Sequence, residues 1–378
     1  MKMYIMRGPS GSGKALKNGT PVLSPDGWVP IEQLSVGDFV MGSSGTPTQV
    51  TGVFPQGTRE LYRVSFSDGA FVDCDGDHLW SFYRDRNDRG WEVHTTVVKT
   101  TNELREKMIY RKMKFPFVSA VQFNEKELPL DPYLLGALLA DGGFTSNSVT
   151  WTKDTEKNPD IVNRVVSAAV LLGVEHTHHR YETDKGWVSD QHRFPFRGTG
   201  NPLVRRLRSL GLWGLGSSDK FIPDAYLTAS VQQRTNLLNG LFDGDGSIRA
   251  DRGFPAKYSS TSQELARGVR DLLWSLGVNA STWYCSSDGC YVTNVGSRGY
   301  NPFFASSKKD VLDLSHGREY RRRVTDIVPI GYGEATCISV DARDELYVTK
   351  DYVVTHNTTW ARKLQAATDA TIVSRDII

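Results

Sequence analysis

The sequence predicts a mixed fold: a β-rich domain interrupted by an α+β domain of two repeats, with short glycine-rich or helical flanks at both ends. Three observations predict it. A glycine-rich loop near the start lacks its final residue, and the missing piece occurs near the far end. Short alternating apolar segments punctuated by Gly, Pro and Asp follow the loop. An apolar helix ending at Asp-Gly occurs twice at one spacing. With 378 residues, 39% of them hydrophobic and 23% charged, two or three domains are expected and wholesale disorder is excluded. The formal charge of +2 means that any nucleic-acid surface must be local. No run of about 18 apolar residues spans a bilayer. Met1 to Gly8 do not resemble a secretory leader. The four cysteines, Cys74, Cys285, Cys290 and Cys337, lack CxxC spacing, which argues against a disulfide framework or a cysteine zinc site. A cytoplasmic monomer without a membrane partner is expected.

The loop comes first. Tyr4 to Met6 form a strand candidate, and Gly8-Pro9-Ser10-Gly11-Ser12-Gly13-Lys14 is the GxxxxGK part of a phosphate-binding loop. Its amides would curl around phosphate oxygens and Lys14 would reach the terminal phosphates. The motif next needs a hydroxyl for magnesium, but the next residue is Ala15. That hydroxyl appears after 343 intervening residues, where Thr358-Thr359-Trp360 opens an amphipathic helix and Ala370 to Ser374 read as a strand. Joining Lys14 to Thr358 restores a strand, loop, helix and strand.

The insert between those halves has its own signals. Gly19 to Leu23 and Trp28 to Val40 read as short strands and turns, followed by Val72-Asp73-Cys74-Asp75-Gly76-Asp77-His78-Leu79-Trp80. Near its end stand Ala335 to Asp341 and Leu346 to Asn357, which closes on Thr355-His356-Asn357 before Thr358. On these motifs residues 15–357 resemble an intein, a self-splicing insertion. The resemblance implies an all-β Hint splicing domain and a precursor that excises itself while joining Lys14 to Thr358. Asn357 would cyclise through its side-chain amide and cut the chain after itself, with His356 protonating the departing amine. Thr358 would hold the migrating acyl group.

The upstream junction departs from the usual pattern, because Ala15 has no nucleophile where most inteins carry Cys or Ser. Two explanations stay open: a splice-dead Ala15 mutant of a conventional intein, or the subclass lacking a first-residue nucleophile. That subclass has a Trp, Cys, Thr constellation, and Trp80, Cys337 and Thr355 stand in those places. The resemblance implies that Cys337 attacks the Lys14–Ala15 carbonyl directly, as a thiolate if its pKa is lowered locally. It implies that His78 protonates or strains the scissile amide, that Trp80 packs around the thiol, and that Thr355 hydrogen-bonds nearby. The family often has Thr three residues before the motif histidine; here it is Asp75, either a substitute or a surface turn residue.

The middle carries the repeat. Asp131-Pro132 is a helix start, and Leu134 to Gly143 form an apolar helix ending at Asp141-Gly142. Leu237 to Gly246 repeat it, ending at Asp245-Gly246. Asp141 and Asp245 are 104 positions apart, as are Gly173 and Gly277 in two Leu-Gly-Val helix ends. This resembles a two-repeat LAGLIDADG homing endonuclease. Gly136, Ala137 and Gly240 would then let two helices meet closely and bring Asp141 and Asp245 together as ligands of Mg2+ at a DNA phosphodiester. Strand-like pieces at 148–153, 187–196, 254–260 and 282–295 would lie on double-stranded DNA. Arg205-Arg206-Leu207-Arg208, Lys308-Lys309 and Arg321-Arg322-Arg323 would touch phosphates or form solvated faces. Lys153 and Lys257 are candidates to assist near the metal.

The expected organisation is therefore an N-terminal host flank (1–14), the first part of the splicing domain (15–125), the endonuclease (126–325), the second part (326–357) and a C-terminal flank (358–378). The flanks resemble a polynucleotide-kinase-type P-loop protein. Gly8, Gly13, Lys14 and Thr358 would bind ATP only in the complete spliced host. A nucleotide-binding protein with an inert insertion, or an element whose nuclease has decayed, are the rival readings.

Overall fold

The computed structural model describes residues 14–88, 91–107, 113–146, 148–182, 188–195, 200–248, 256–296 and 322–356. The phosphate-loop residues Gly8 and Gly13, the Lys308-Lys309 pair, and Asn357, Thr358 and the helix expected after them lie outside the described residues. The chain divides into two compact units, Met1–Val121 with Arg321–Ile378, and Gln122–Tyr320.

The first unit begins with strand β1 (Leu16–Lys17), followed by a hairpin of β2 (Pro21–Ser24) and β3 (Gly27–Pro30) in the register Val22↔Val29. Then come β4 (Phe39–Met41), the long β5 (Pro47–Phe66), β6 (Phe71–Asp75), β7 (Leu79–Asp88) and β8 (Trp91–Thr100). Helix α1 (Thr101–Lys107) starts on a capping box. The Glu103 amide donates to Thr100 Oγ1 at 3.1 Å and the Thr100 amide donates to Glu103 Oε2 at 2.9 Å.

The second unit is the repeat. Its first half runs α2 (Pro132–Asp141), β9 (Gly142–Gly143), β10 (Val149–Thr152), α3 (Pro159–Leu171), β11 (Thr177–Glu182) and β12 (Val188–Phe194). Helices α4 (Pro202–Ser209) and α5 (Asp224–Leu227) follow. The second half runs α6 (Val231–Asp245), β13 (Gly246–Ile248), β14 (Ala256–Ser260), α7 (Gln263–Ser275), β15 (Asn279–Cys285) and β16 (Cys290–Gly296). The sheets have matching orders, β11-β12-β10-β9 and β15-β16-β14-β13. Thus each apolar helix is followed by two strands, a helix and two strands. The strand-like piece at 282–295 is a hairpin rather than one strand, turning at Gly289, whose φ of 63° suits glycine.

Local signals explain the helix ends. Asp131 caps α2 by accepting the Leu134 amide at 2.9 Å, with Pro132 in the first turn. Ser230 and Gln233 form a capping box on α6. The crossing of α2 and α6 needs the small residues. A Cβ on Gly136 would lie 2.3 Å from Leu237 O, and one on Gly240 would lie 2.2 Å from Tyr133 O.

The chain then returns to the first unit through β17 (Val324–Val340), β18 (Leu346–Thr349) and β19 (Val353–His356). Strand β17 runs antiparallel to β5 from Val324↔Phe66 to Val340↔Val50 and also pairs with β1. Because β1 pairs with β6 and β6 with β5, the four strands β17, β1, β6 and β5 close a ring. Tiny β1 is therefore held on both edges, and Ala15 and Leu16 are fully buried. A second sheet has the order β3-β2-β18-β19-β7-β8. Of the arginine cluster considered for phosphates, Arg322 is buried and bonds Asp68 at 2.6 Å and the Asp351 carbonyl at 2.9 Å. It braces the fold and offers nothing to DNA, because burying its charge requires this pairing.

Candidate functional sites

The first site forms around the Lys14–Ala15 peptide. Strand β1 pairs Leu16 with Thr336 on β17 and with Cys74 on β6, so continuing each register by one step sets Ala15 beside Cys337 and Asp75. The Asp75 amide donates to the Ala15 carbonyl at 3.0 Å. His78 reaches the neighbouring carbonyl, its Nδ1 lying 3.1 Å from Lys14 O. A carbonyl oxygen only accepts, so Nδ1 carries the proton and Nε2 accepts from the hydroxyl of Thr355. The Lys14 carbonyl thereby fixes the tautomer, and Thr355, next to the downstream junction, holds the other ring nitrogen of the histidine at the upstream junction. His356, also buried, pairs with Leu79 across β19 and β7.

Burial controls the protonation states. It pulls His78 down to about 3, outweighing the Lys14 carbonyl, while His356 and Lys14 add repulsion. The ring is thus a neutral donor. Its contact falls on the carbonyl oxygen, where it polarises, rather than on the amide nitrogen. Cys337 is also buried, and burial pushes its thiol up to about 12, against the pull of Lys14 and with the push of Asp75. The condition under which Cys337 would act as a ready thiolate is thus not met: at neutral pH this sulfur is S–H and needs a base. Asp75 is no surface turn residue. It is 3% exposed, and burial lifts its carboxyl to about 6, opposed by the Ala15 amide and aided by Asp77.

Trp80 is fully buried and stands edge-on to His78 at 5.0 Å, with Phe66 at 5.8 Å and Phe115 at 6.0 Å. Its indole N–H donates to Thr101 Oγ1 at 3.0 Å. These contacts support the histidine. Thr101 was missed by sequence reasoning, although its hydroxyl also lies 3.4 Å from Cys74 Sγ and 3.3 Å from His78 O. The Thr100-x-x-Glu103 capping signal could have placed it in a first helical turn.

The second site lies at the ends of α2 and α6, which terminate on Asp141 and Asp245. A Cβ on Gly244 would lie 3.3 Å from Asp141 Oδ2, so the two helix ends touch. Lys153 Nζ contacts Asp141 Oδ2 at 3.0 Å and donates to the α6 carbonyl of Asp243 at 2.9 Å. Lys220, unforeseen from sequence, donates to the α2-end carbonyls of Leu139 at 2.8 Å and Gly142 at 2.7 Å. Burial pulls Lys220 down to about 8, opposed by Asp245 and Asp141. Each helix C-terminus thus has its exposed carbonyls satisfied by one lysine. Lys257 sits on β14 opposite Ser247, with no described contact to either carboxylate. Among the described residues no group of three or more His, Cys, Asp or Glu side chains could hold a metal. Nor is any helix among them long and apolar enough to cross a membrane.

Comparison with known proteins bears on both sites. Residues 232–306, which take in most of α6 with Asp245, match the LAGLIDADG-like domain. A replicative DNA helicase DnaB of Mycobacterium intracellulare is 27% identical over 388 residues, covering 94% of this chain. The chain spans 60% of that helicase's length. Among solved structures, I-DmoI in complex with DNA and Mn is similar at 15% identity and a TM-score of 0.32, covering 44% of this chain and 89% of that one. A gp41-1 intein is similar at 10% identity and a TM-score of 0.27, covering 91% and 100%. Together the sequence matches support an intein that carries a LAGLIDADG domain.

Proposed function

We propose that the chain is a protein-splicing precursor that excises residues 15–357 and joins Lys14 to Thr358. Cys337 Sγ attacks the Lys14 carbonyl carbon and forms a thioester, so the chain becomes branched. Neutral His78 donates to the carbonyl oxygen as negative charge develops there. Trp80 and Thr355 hold that ring in place. The acyl group then passes to the Thr358 hydroxyl. Asn357 cyclises with His356 as proton donor, and the freed amine of Thr358 takes the acyl group to give an ordinary peptide bond. One observation carries the reading: the β1 register sets position 15 beside Cys337 while His78 holds the oxygen of the bond to be broken. The joined product restores the phosphate loop of a kinase-like P-loop host, which would bind ATP only when complete.

The repeat pair acts in this reading as a site-specific double-strand DNA endonuclease for homing. Asp141 and Asp245 are the two carboxylates that would hold magnesium. Their donor chemistry fits: hard oxygens at touching helix ends, with Lys153 and Lys220 keeping the backbone carbonyls occupied. When bound, the metal supplies charge stabilisation at the phosphodiester and a more acidic water. Asp141 and Asp245 would orient it, and Lys153 keeps Asp141 fixed.

Mass spectrometry of freshly expressed chain tests the splicing reading. The expected products are the 343-residue fragment 15–357 and a Lys14–Thr358 ligated peptide. Cys337→Ala should yield neither, and no thiol-cleavable branched species. Splicing that survives Cys337→Ala, or that occurs only after Ala15→Cys, overturns the proposed route.

A further inference from the structure

The cysteine route leaves a proton unaccounted for. The thiol is protonated before attack, and the Ala15 nitrogen must be protonated to leave as an amine. His78 serves neither need, because its one proton is on Nδ1 and donated to the Lys14 oxygen, and its other nitrogen is taken by Thr355. His356 is placed at the other junction, beside Leu79.

Among the described residues, Asp75 is a carboxylate set beside Ala15. It follows Cys74 on β6 and precedes His78, whose amide donates to the Asp75 carbonyl at 3.3 Å. Its own amide is tied to the Ala15 carbonyl at 3.0 Å, so its backbone is locked to the scissile segment. Both carboxylate oxygens are buried and lack a hydrogen bond of full geometry. An unsatisfied buried carboxylate costs stability and calls for an explanation. The Ala15 amide is the strongest of the groups that favour its charge, and Cys337 feels that charge from β17.

We propose that Asp75 is a catalytic acid–base residue that carries the proton from Cys337 Sγ to the Ala15 nitrogen. The carboxylate removes the thiol proton as the C–S bond forms to the Lys14 carbonyl carbon. The resulting carboxylic acid delivers that proton to Ala15 N as the Lys14–Ala15 C–N bond breaks. Amide and thiol become thioester and amine, and Asp75 ends as it began. The inference rests on the splicing reading and deepens it.

The test uses the full chain, with thioester formation followed by thiol-induced cleavage after Lys14. Asp75→Asn should slow this step by on the order of 100-fold, the lower range for a positioned acid–base group. Asp75→Glu should recover part of it, and circular dichroism should show both variants folded. The wild-type rate should rise with pH to a plateau above about 6, the range to which burial lifts Asp75. The groups facing it are Arg59 from β5, Asp77 and His78 from the next turn, Cys337 from β17 and Cys74 from its own strand. In Asp75→Asn the plateau should vanish and the rate should keep climbing. An Asn variant that forms the thioester at the wild-type rate, or a wild-type profile without the plateau, overturns this inference while Cys337 dependence stands. Should the wild type give no Cys337-linked species at all, the splicing reading itself fails.

Discussion

The two units reach a polar site by opposite routes. In the repeat unit, two copies of one helix end deliver Asp141 and Asp245, and a single spacing of 104 positions fixes their meeting. In the splicing unit, the site is gathered from β1, β6, the turn before β7, α1, β17 and β19, so Lys14 and Thr355 meet across nearly the whole chain. The charges differ too. At the helix ends opposite charges are paired, Asp141 with Lys153. Around the Lys14–Ala15 peptide they are suppressed: burial leaves His78 neutral and Cys337 protonated. Under the proposed function the difference has a reason: a metal at a DNA phosphodiester calls for accessible anions, whereas a thioester calls for a site from which water is excluded.

Four changes would break or sharpen this contrast. The largest effect is expected from Asp245→Asn, which should lower plasmid cleavage by on the order of 100-fold to 1000-fold, since metal stabilisation is worth several kcal/mol. Splicing, followed by mass spectrometry, should be unaffected. Equal loss of both activities would mean that the units are not separable. Next comes Gly240→Ala, whose Cβ would sit 2.2 Å from Tyr133 O in the backbone of α2. Overpacking of this kind costs about 1–3 kcal/mol, and calorimetry should show a lower Tm for the repeat unit alone.

The third is a pH effect in the splicing unit. His78 is pulled down to about 3 in the folded state, so between that value and about 6.5 the unfolded chain binds the extra proton. Stability must therefore rise with pH across that window. Asp75, lifted to about 6, binds its proton in the folded state and acts in the opposite sense between about 3.8 and 6. Denaturation of His78→Gln should show the rising component gone. A slope unchanged by that substitution would mean that His78 is not the neutral group. The smallest effect should come from Thr101→Val, which removes the acceptor of the Trp80 indole and costs about 1 kcal/mol. Thr101→Ser should restore it.

What was legible in the sequence follows the same division. Helix starts at Asp131-Pro132, helix ends at Gly173 and Gly277, and the glycines at the α2–α6 crossing follow from local capping, left-handed backbone and spacing. The β-rich character of the flanking segments was equally plain. Residues His78, Trp80, Cys337 and Thr355 stood out through the resemblance, but their partners did not. Lys220 and Thr101 carry no motif, because a lysine or threonine looks the same whether it caps a helix inside or faces water outside. The arginine at 322 read equally well as a phosphate contact or a solvated face, and its carboxylate partner, 254 positions away, makes it neither.

The amino-acid order by itself determined the repeat, the broken loop and the residue types able to move an acyl group, since each is a property of neighbours or of fixed intervals. Only the closed ring of β17, β1, β6 and β5 decided which oxygen His78 touches, that the Cys337 sulfur stays protonated, and that Asp75 is hidden beside Ala15. Those outcomes depend on exclusion of water and on strand register between distant segments, and neither exists until the chain has folded.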